Sequence, residues 1–298
     1  MNKKTILVTG ANGQLGSEMR VVSQSHTAYD FLFVTKEEFN IEDAETVKQY
    51  FQLHSIDYCV NCAAYTAVDK AESDVETAMR INATAVGNLA AICKEQNARF
   101  IHISTDYVFD GTATVPYKED DPVSPVNMYG ASKLKGEVLA VENNPEAIII
   151  RTSWVYSAFG NNFVKTMLRL MKDRESLNVV SDQQGCPTYA ADLASAIMKI
   201  IIQLEHPSKG LIDTLSASTI FNYSNCGVIT WYQFADAIRE LSQSNCKVNP
   251  IPAAQYPTPA KRPQYSVMDT TKIQQAFDLK IPEWKTSLEE CIRLLVKN

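Results

Sequence analysis

Through the first half of the chain, short runs of β-branched and aromatic residues alternate with longer stretches whose apolar positions recur at helical spacing. Residues 5–9 read as a strand, 13–23 as a helix and 31–35 as a second strand. The stretch 42–53 carries Ala44, Val47 and Phe51 on one helical face and leads into a strand over 57–63. A long helix over 75–96, a fourth strand over 100–104, a helix over 129–142 and a fifth strand over 147–150 continue the alternation. Such alternation puts parallel strands side by side with crossover helices on their faces, so residues 1–153 are predicted to form a doubly wound α/β Rossmann domain. Beyond Trp154 the pattern loosens. Helices are expected near 162–171, 191–203, 231–241 and 288–296, with a proline-rich bend (Pro250, Pro252, Pro257, Pro259, Pro263) before the last. Residues 154–298 are therefore read mainly as a smaller α+β substrate lobe at the strand ends, where ligands of open α/β sheets bind, with the chain free to cross between lobes.

Composition narrows the class. The 298 residues are 45% hydrophobic and 21% charged with net charge −6, enough chain for a sizeable core and without the concentrated basic surface of a nucleic-acid binder. The longest apolar runs, such as 200–202, fall far short of the roughly 20 residues that cross a bilayer. The start, Met1-Asn2-Lys3-Lys4, lacks the features of a signal peptide, so a cytoplasmic location is expected. Seven scattered cysteines fit reduced thiols. Cys59 and Cys62 form a C-x-x-C, but residues three apart on a strand face opposite ways, so core packing is expected there and joint metal ligation is not.

Three sites carry chemistry. The turn Thr9-Gly10-Ala11-Asn12-Gly13-Gln14-Leu15-Gly16 follows the first strand and opens the first helix. Gly10 permits the tight turn, Gly13 lets backbone approach a pyrophosphate at the helix N-terminus, and Gly16 lets helix pack on sheet. Strand two ends Val34-Thr35-Lys36 without the usual ribose-binding acid. Lys36 facing a 2′-phosphate favours NADPH, whereas a solvated Lys36 leaves NADH open. The second site, Tyr129-Gly130-Ala131-Ser132-Lys133, puts a phenol and an ammonium on one helix face, where the cation is expected to lower the phenol pKa. In the third, Ser104-Thr105-Asp106-Tyr107 ends strand four. Strand alternation lets only one of Ser104 and Thr105 face the crevice, and a long, proline-containing connection over 106–127 follows.

The glycine turn together with Y-x-x-x-K resembles the extended short-chain dehydrogenase/reductase family. Residues 62–72, 104–111, 151–156 and 182–188, with Arg262-Pro263, Ser266 and Asp269, are similar to the branch of that family that reduces dTDP-linked 4-keto deoxysugars. The resemblance implies hydride transfer from NADPH or NADH to C4 of dTDP-4-dehydro-6-deoxy-L-mannose. Thr105, Tyr129 and Lys133 would be catalytic. Cofactor contacts would come from Gly10, Asn12, Gly13, Gln14, Leu15, Asn40, Ile41, Ala63, Ala64, Tyr65 and Thr66, joined by Tyr129 and Lys133. Substrate contacts would come from Thr66, Val68, Thr105, Asp106, Tyr107, Trp154 and Arg262, with Trp154 as a core aromatic the alternative. It also implies a homodimer. Some members hold Mg²⁺ through glutamates, but Ala191 stands where one would be and Glu18 reads as a helix-surface acid, so no metal is expected. Two other readings stand beside the reductase: a non-catalytic dinucleotide-binding subunit, like the regulatory subunit of methionine adenosyltransferase, and a reductase or epimerase of another nucleotide sugar.

Overall fold

The structure is a computed structural model that describes residues 3–217 and 219–296. Its first half runs β1 (Lys4–Thr9), α1 (Gln14–Ser23), β2 (Tyr29–Val34), α2 (Ala44–Leu53), β3 (Tyr58–Asn61), α3 (Val68–Ala71), α4 (Val75–Met79), α5 (Ala85–Glu95), β4 (Arg99–Thr105), α6 (Met128–Asn143) and β5 (Ile148–Thr152). There follow β6 (Val155–Tyr156), α7 (Phe163–Asp173), β7 (Ser176–Val180), β8 (Gln184–Gly185), β9 (Thr188–Tyr189), α8 (Ala190–Glu205), α9 (Lys209–Ala217) and β10 (Ile220–Tyr223). The chain ends with β11 (Ile229–Thr230), α10 (Trp231–Leu241), β12 (Lys247–Ile251), α11 (Thr271–Phe277) and α12 (Trp284–Val296).

A six-stranded parallel sheet in the order β10-β5-β4-β3-β1-β2 forms the centre. The middles of its strands carry apolar runs such as Ile6-Leu7-Val8 and Ile148-Ile149-Ile150 because helices cover both faces, as the doubly wound reading requires. The period-two alternation sorts the side chains. Ile6, Val8, Tyr58, Val60, Ile148 and Ile150 pack on one face with Leu193, Ile197 and Ile201 of α8. Leu7, Cys59, Phe100 and Ile149 pack on the other with Val47, Phe51, Val86 and Leu89 of α2 and α5. Cys59 and Cys62 accordingly join different faces, and all seven cysteines are free thiols.

The expected helix over 75–96 is interrupted. Between α4 and α5, Arg80–Thr84 form one π-helical turn, which spends an extra residue and carries buried Asn82 inward. Strand β3 stops at Asn61, two residues earlier than expected, which frees 62–67 to leave the sheet at its carboxyl end. The 106–127 connection is well anchored: Tyr117 N–H donates to the Val267 carbonyl (2.9 Å), and the Tyr117 ring stacks on Phe109 at 4.3 Å.

The second lobe has its own core, built from Tyr156, Val164, Met167, Tyr189, Phe234, Ile238, Leu288 and Ile292. The chain does not stay in it. Helix α8 returns to cover the sheet, β10 pairs with β5 as the edge strand, and Ile273 and Phe277 of α11 pack under β10.

Candidate active site

A cleft of about 1020 Å³ opens at the carboxyl ends of β1, β3 and β4 and runs beneath the second lobe. One end is the glycine turn. Gly10 has φ +62°, and a Cβ there would sit 2.8 Å from the Ala63 nitrogen. A Cβ on Gly16 would come within 2.4 Å of the Gly10 carbonyl. Only glycine lets the turn close this tightly on β3. Gly13 is the N-cap of α1 and contributes no side-chain cap, and the first turn holds no acid, so the helix N–H groups remain available to an anion. Gln14 reaches across the cleft: its Nε2 donates to the Val155 carbonyl (3.3 Å) and its Oε1 accepts from Asn162 Nδ2 (2.9 Å).

Gly10, Gly13, Gln14, Leu15, Asn40, Ile41, Ala63, Ala64, Tyr65, Thr66 and Val68 all line this cleft, with Thr105, Asp106, Tyr107, Tyr129, Lys133 and Trp154. Two expected residues do not. Asn12 is exposed outside the wall, and Arg262, whose Nη2 donates to Asp69 Oδ2 (2.9 Å), is not among the residues lining the cleft. Lys36 does line the cleft, two-thirds exposed, with its ammonium 3.3 Å from Glu42.

Strand alternation is resolved by a buried ion pair. Arg151 on β5 meets Glu137 on α6 through Nε (3.0 Å) and Nη2 (2.8 Å), both residues fully buried, and the Ser104 hydroxyl donates to the same carboxylate at 2.5 Å. Ser104 is thus held in the scaffold, and the Thr105 hydroxyl is the one beside Tyr129. Thr105 Oγ1 donates to Asp106 Oδ1 (3.0 Å) and accepts from the Tyr107 N–H (3.2 Å). Asp106 Oδ2 is buried with no hydrogen-bond partner, and burial pushes this carboxyl up to about 7. Tyr107 meets Tyr129 edge to face at 5.5 Å.

The expected effect of Lys133 on the phenol is not what the structure holds. Burial pushes Tyr129 up to about 12; the Thr105 hydroxyl pulls it down, and Asp106 pushes it up further. Lys133 instead points its buried Nζ at the Ile103 carbonyl (2.7 Å) and at His102 Nε2 (3.3 Å), and burial lowers it to about 8. The i, i+4 spacing gave the shared face but not the direction of a long side chain, which the inward carbonyl sets.

Three contributors were not legible in the sequence. Asn82, delivered by the π turn, accepts from Tyr65 N–H (2.8 Å) and donates to the Tyr65 carbonyl (2.9 Å), fixing the segment after β3. Trp231 lines the cleft and stacks on Trp154 at 3.6 Å, so Trp154 is at once a wall and a packed aromatic. Its φ of +47° is a strained backbone at the cleft. His102 is buried under Lys133. Glu18 corrects another expectation: it is buried, not a surface acid, and accepts from the Ser157 hydroxyl at 2.6 Å. Among the described residues no group of three or more His, Cys, Asp or Glu is arranged to hold a metal ion.

A phenol kept protonated at the carboxyl end of a parallel sheet, one cleft away from an uncapped, glycine-lined helix N-terminus, defines a dinucleotide-dependent oxidoreductase of the short-chain type. Comparison narrows this to a branch. The family described as RmlD substrate binding domain matches residues 4–296, and the chain belongs to it. It is 39% identical over 290 residues to a dTDP-4-dehydrorhamnose reductase of Aggregatibacter actinomycetemcomitans, covering 95% of this chain and 97% of that one. The fold matches the crystal structure of a dTDP-4-dehydrorhamnose reductase from Clostridium acetobutylicum with TM-score 0.91 and 39% identity, over 98% of this chain and 99% of that one. It also matches that of a Bacillus anthracis dTDP-4-dehydrorhamnose reductase in complex with NADP, with TM-score 0.91 and 36% identity, over 98% of this chain and 100% of that one.

Proposed function

We propose that this protein reduces the C4 keto group of dTDP-4-dehydro-6-deoxy-L-mannose to give dTDP-L-rhamnose, with NADPH as reductant and NADH as an alternative. The observation that carries the reading is the pairing of buried Thr105 with half-buried Tyr129 in the same cleft as the glycine turn. The residues present fit a nicotinamide dinucleotide. Gly10, Gly13, Gln14 and Leu15 would hold the pyrophosphate at the N-terminus of α1, Asn40 and Ile41 would flank the adenine, and Ala63, Ala64, Tyr65 and Thr66 would line the path inward. Lys36, two residues past β2 and lining the cleft, would meet the 2′-phosphate that distinguishes NADPH. When bound, the reduced nicotinamide supplies the hydride.

Reduction of a ketone also needs an acid. A phenol whose pKa is raised to about 12 is fully protonated at neutral pH, so Tyr129 has a proton to deliver to the C4 oxygen as negative charge develops there. The Thr105 hydroxyl, turning its proton from Asp106, would stabilise the phenolate left behind, and Lys133, at the cleft wall, would hold the nicotinamide ribose. Thr66, Val68, Asp106, Tyr107 and Trp154 enclose the deoxysugar and its diphosphate.

The test mixes the protein with NADPH and enzymatically generated keto sugar and follows loss of reduced-nicotinamide absorbance. Wild type forms dTDP-L-rhamnose. Tyr129→Phe binds NADPH but turns over about 10²- to 10⁴-fold more slowly, the usual contribution of a positioned acid. NADPH binding without oxidation in wild type overturns the proposal.

A further inference from the structure

Below Lys133 a chain of buried polar side chains runs back along the sheet to the first strand. Thr9 Oγ1 meets Asn61 Oδ1 at 2.6 Å, Asn61 Nδ2 meets His102 Nδ1 at 3.0 Å, and His102 Nε2 meets Lys133 Nζ at 3.3 Å. All four residues are at most 1% exposed. Thr9 ends β1, Asn61 ends β3 and His102 lies on β4, so neighbouring strands of one sheet supply the links. The other charged or titratable groups around Lys133 are Cys62 from the end of β3 and Glu137 and Tyr129 from its own helix, and Glu137 is already paired with Arg151. His102 is the neutral partner, kept so by burial and by the cation beside it.

The direction of each hydrogen bond in this chain is dictated by its neighbours. With the Asn61 amide donating to Nδ1, the His102 proton sits on Nε2 and points at Nζ, which can accept it only as a free amine. Turning the Asn61 amide over reverses every link: the ammonium donates to Nε2, Nδ1–H donates to Oδ1, and Nδ2–H donates to the Thr9 oxygen. The Ile103 carbonyl accepts from Nζ in both arrangements.

We propose that His102, aligned by Asn61 and Thr9, is a positioning residue for Lys133 that follows its charge, accepting from the ammonium in one tautomer and donating to the free amine in the other. The chain keeps the lysine hydrogen-bonded in both states, so its charge can change in the cleft without leaving a buried polar group unpaired. The link to catalysis rests on the reductase reading; the tautomer change itself does not.

The test is ¹⁵N NMR of the NADPH complex carrying labelled histidine. There are four histidines in the chain, and His102→Gln identifies the signal. Across about pH 6 to 9 the ring stays neutral and shifts from the Nδ1–H to the Nε2–H tautomer, with the midpoint of the alkaline limb of kcat. His102→Leu, which removes the acceptor, moves that limb down by about one pH unit with KM for the sugar little changed, and His102→Gln restores part of the shift. A tautomer that stays constant through the limb, or a His102→Leu limb that does not move, overturns the proposal. If His102→Leu does not fold, the wild-type titration decides. Failure of the reductase reading shows separately, as no NADPH oxidation, because the tautomer titration needs no sugar.

Discussion

Glu137 is a buried acid whose removal the scaffold tolerates poorly. Its carboxylate accepts from Arg151 Nε and Nη2 and from the Ser104 hydroxyl, and Arg151 and Glu137 are both buried with side chains 3% and 2% exposed. Glu137→Ala leaves a buried guanidinium whose remaining partners among the described residues are the Glu119 carbonyl (3.1 Å) and the Phe109 ring (5.1 Å). Breaking one side of such a pair costs about 3–5 kcal/mol. Unfolding carries about 2.1 cal/mol/K per residue, or roughly 0.63 kcal/mol/K for 298 residues, so Tm falls by about 5–8 °C. Differential scanning calorimetry at neutral pH measures this. The same physics demands that Glu137→Leu combined with Arg151→Met recover most of the loss, since no charge is then left buried. A single variant melting within about 1 °C of wild type, or a double variant no more stable than the single, refutes the argument.

Further predictions follow from the same structure. Gly10→Ala forces a Cβ against the Ala63 backbone at φ +62° and abolishes tight NADPH binding in a fluorescence titration. Gly210→Ala, whose new methyl meets only Ser208 Oγ at 4.0 Å inside α9, leaves binding unchanged and raises stability by up to about 1 kcal/mol. Asn82→Ala releases both backbone groups of Tyr65 and weakens NADPH binding several-fold more than it weakens maximal turnover, which initial-rate kinetics would separate. Asp106 has its folded pKa raised to about 7, so its contribution to stability is present below the unfolded carboxylate range and is lost as pH rises through 7. Asp106→Asn therefore gains Tm relative to wild type as pH rises from about 4 to 7, with the difference level above that; a pH-independent difference would contradict the assignment.

What the sequence revealed was local or periodic. The alternation Ile6, Leu7, Val8 and Ile148, Ile149, Ile150 announces strands covered on both faces, and the glycines at 10, 13 and 16 announce the turn, because each signal lies within a few residues. The π turn at Arg80–Thr84 has no such signature: only Asn82, a polar residue on the buried face between Ala78 and Val86, hints at it. The choice between Ser104 and Thr105 rested on Glu137, 33 residues away in sequence. Lys133 took its direction from the Ile103 carbonyl 30 residues away, and Arg262 was claimed by Asp69 at a separation of 193. These pairings belong to the tertiary structure, and neither composition nor spacing encodes them.

The passage of the chain back into the sheet at α8 and β10 sets a rule for how this enzyme can change. A cut at residue 153 would strip the sheet of one edge strand, β10, and of helices α8 and α11, which cover one face together with α1, so the substrate lobe is not a cassette that recombination can exchange whole. New sugar preferences in this architecture must arise by substitutions made in place along the cleft, with the glycine turn and its helix carried forward as an inherited part of the same folding unit.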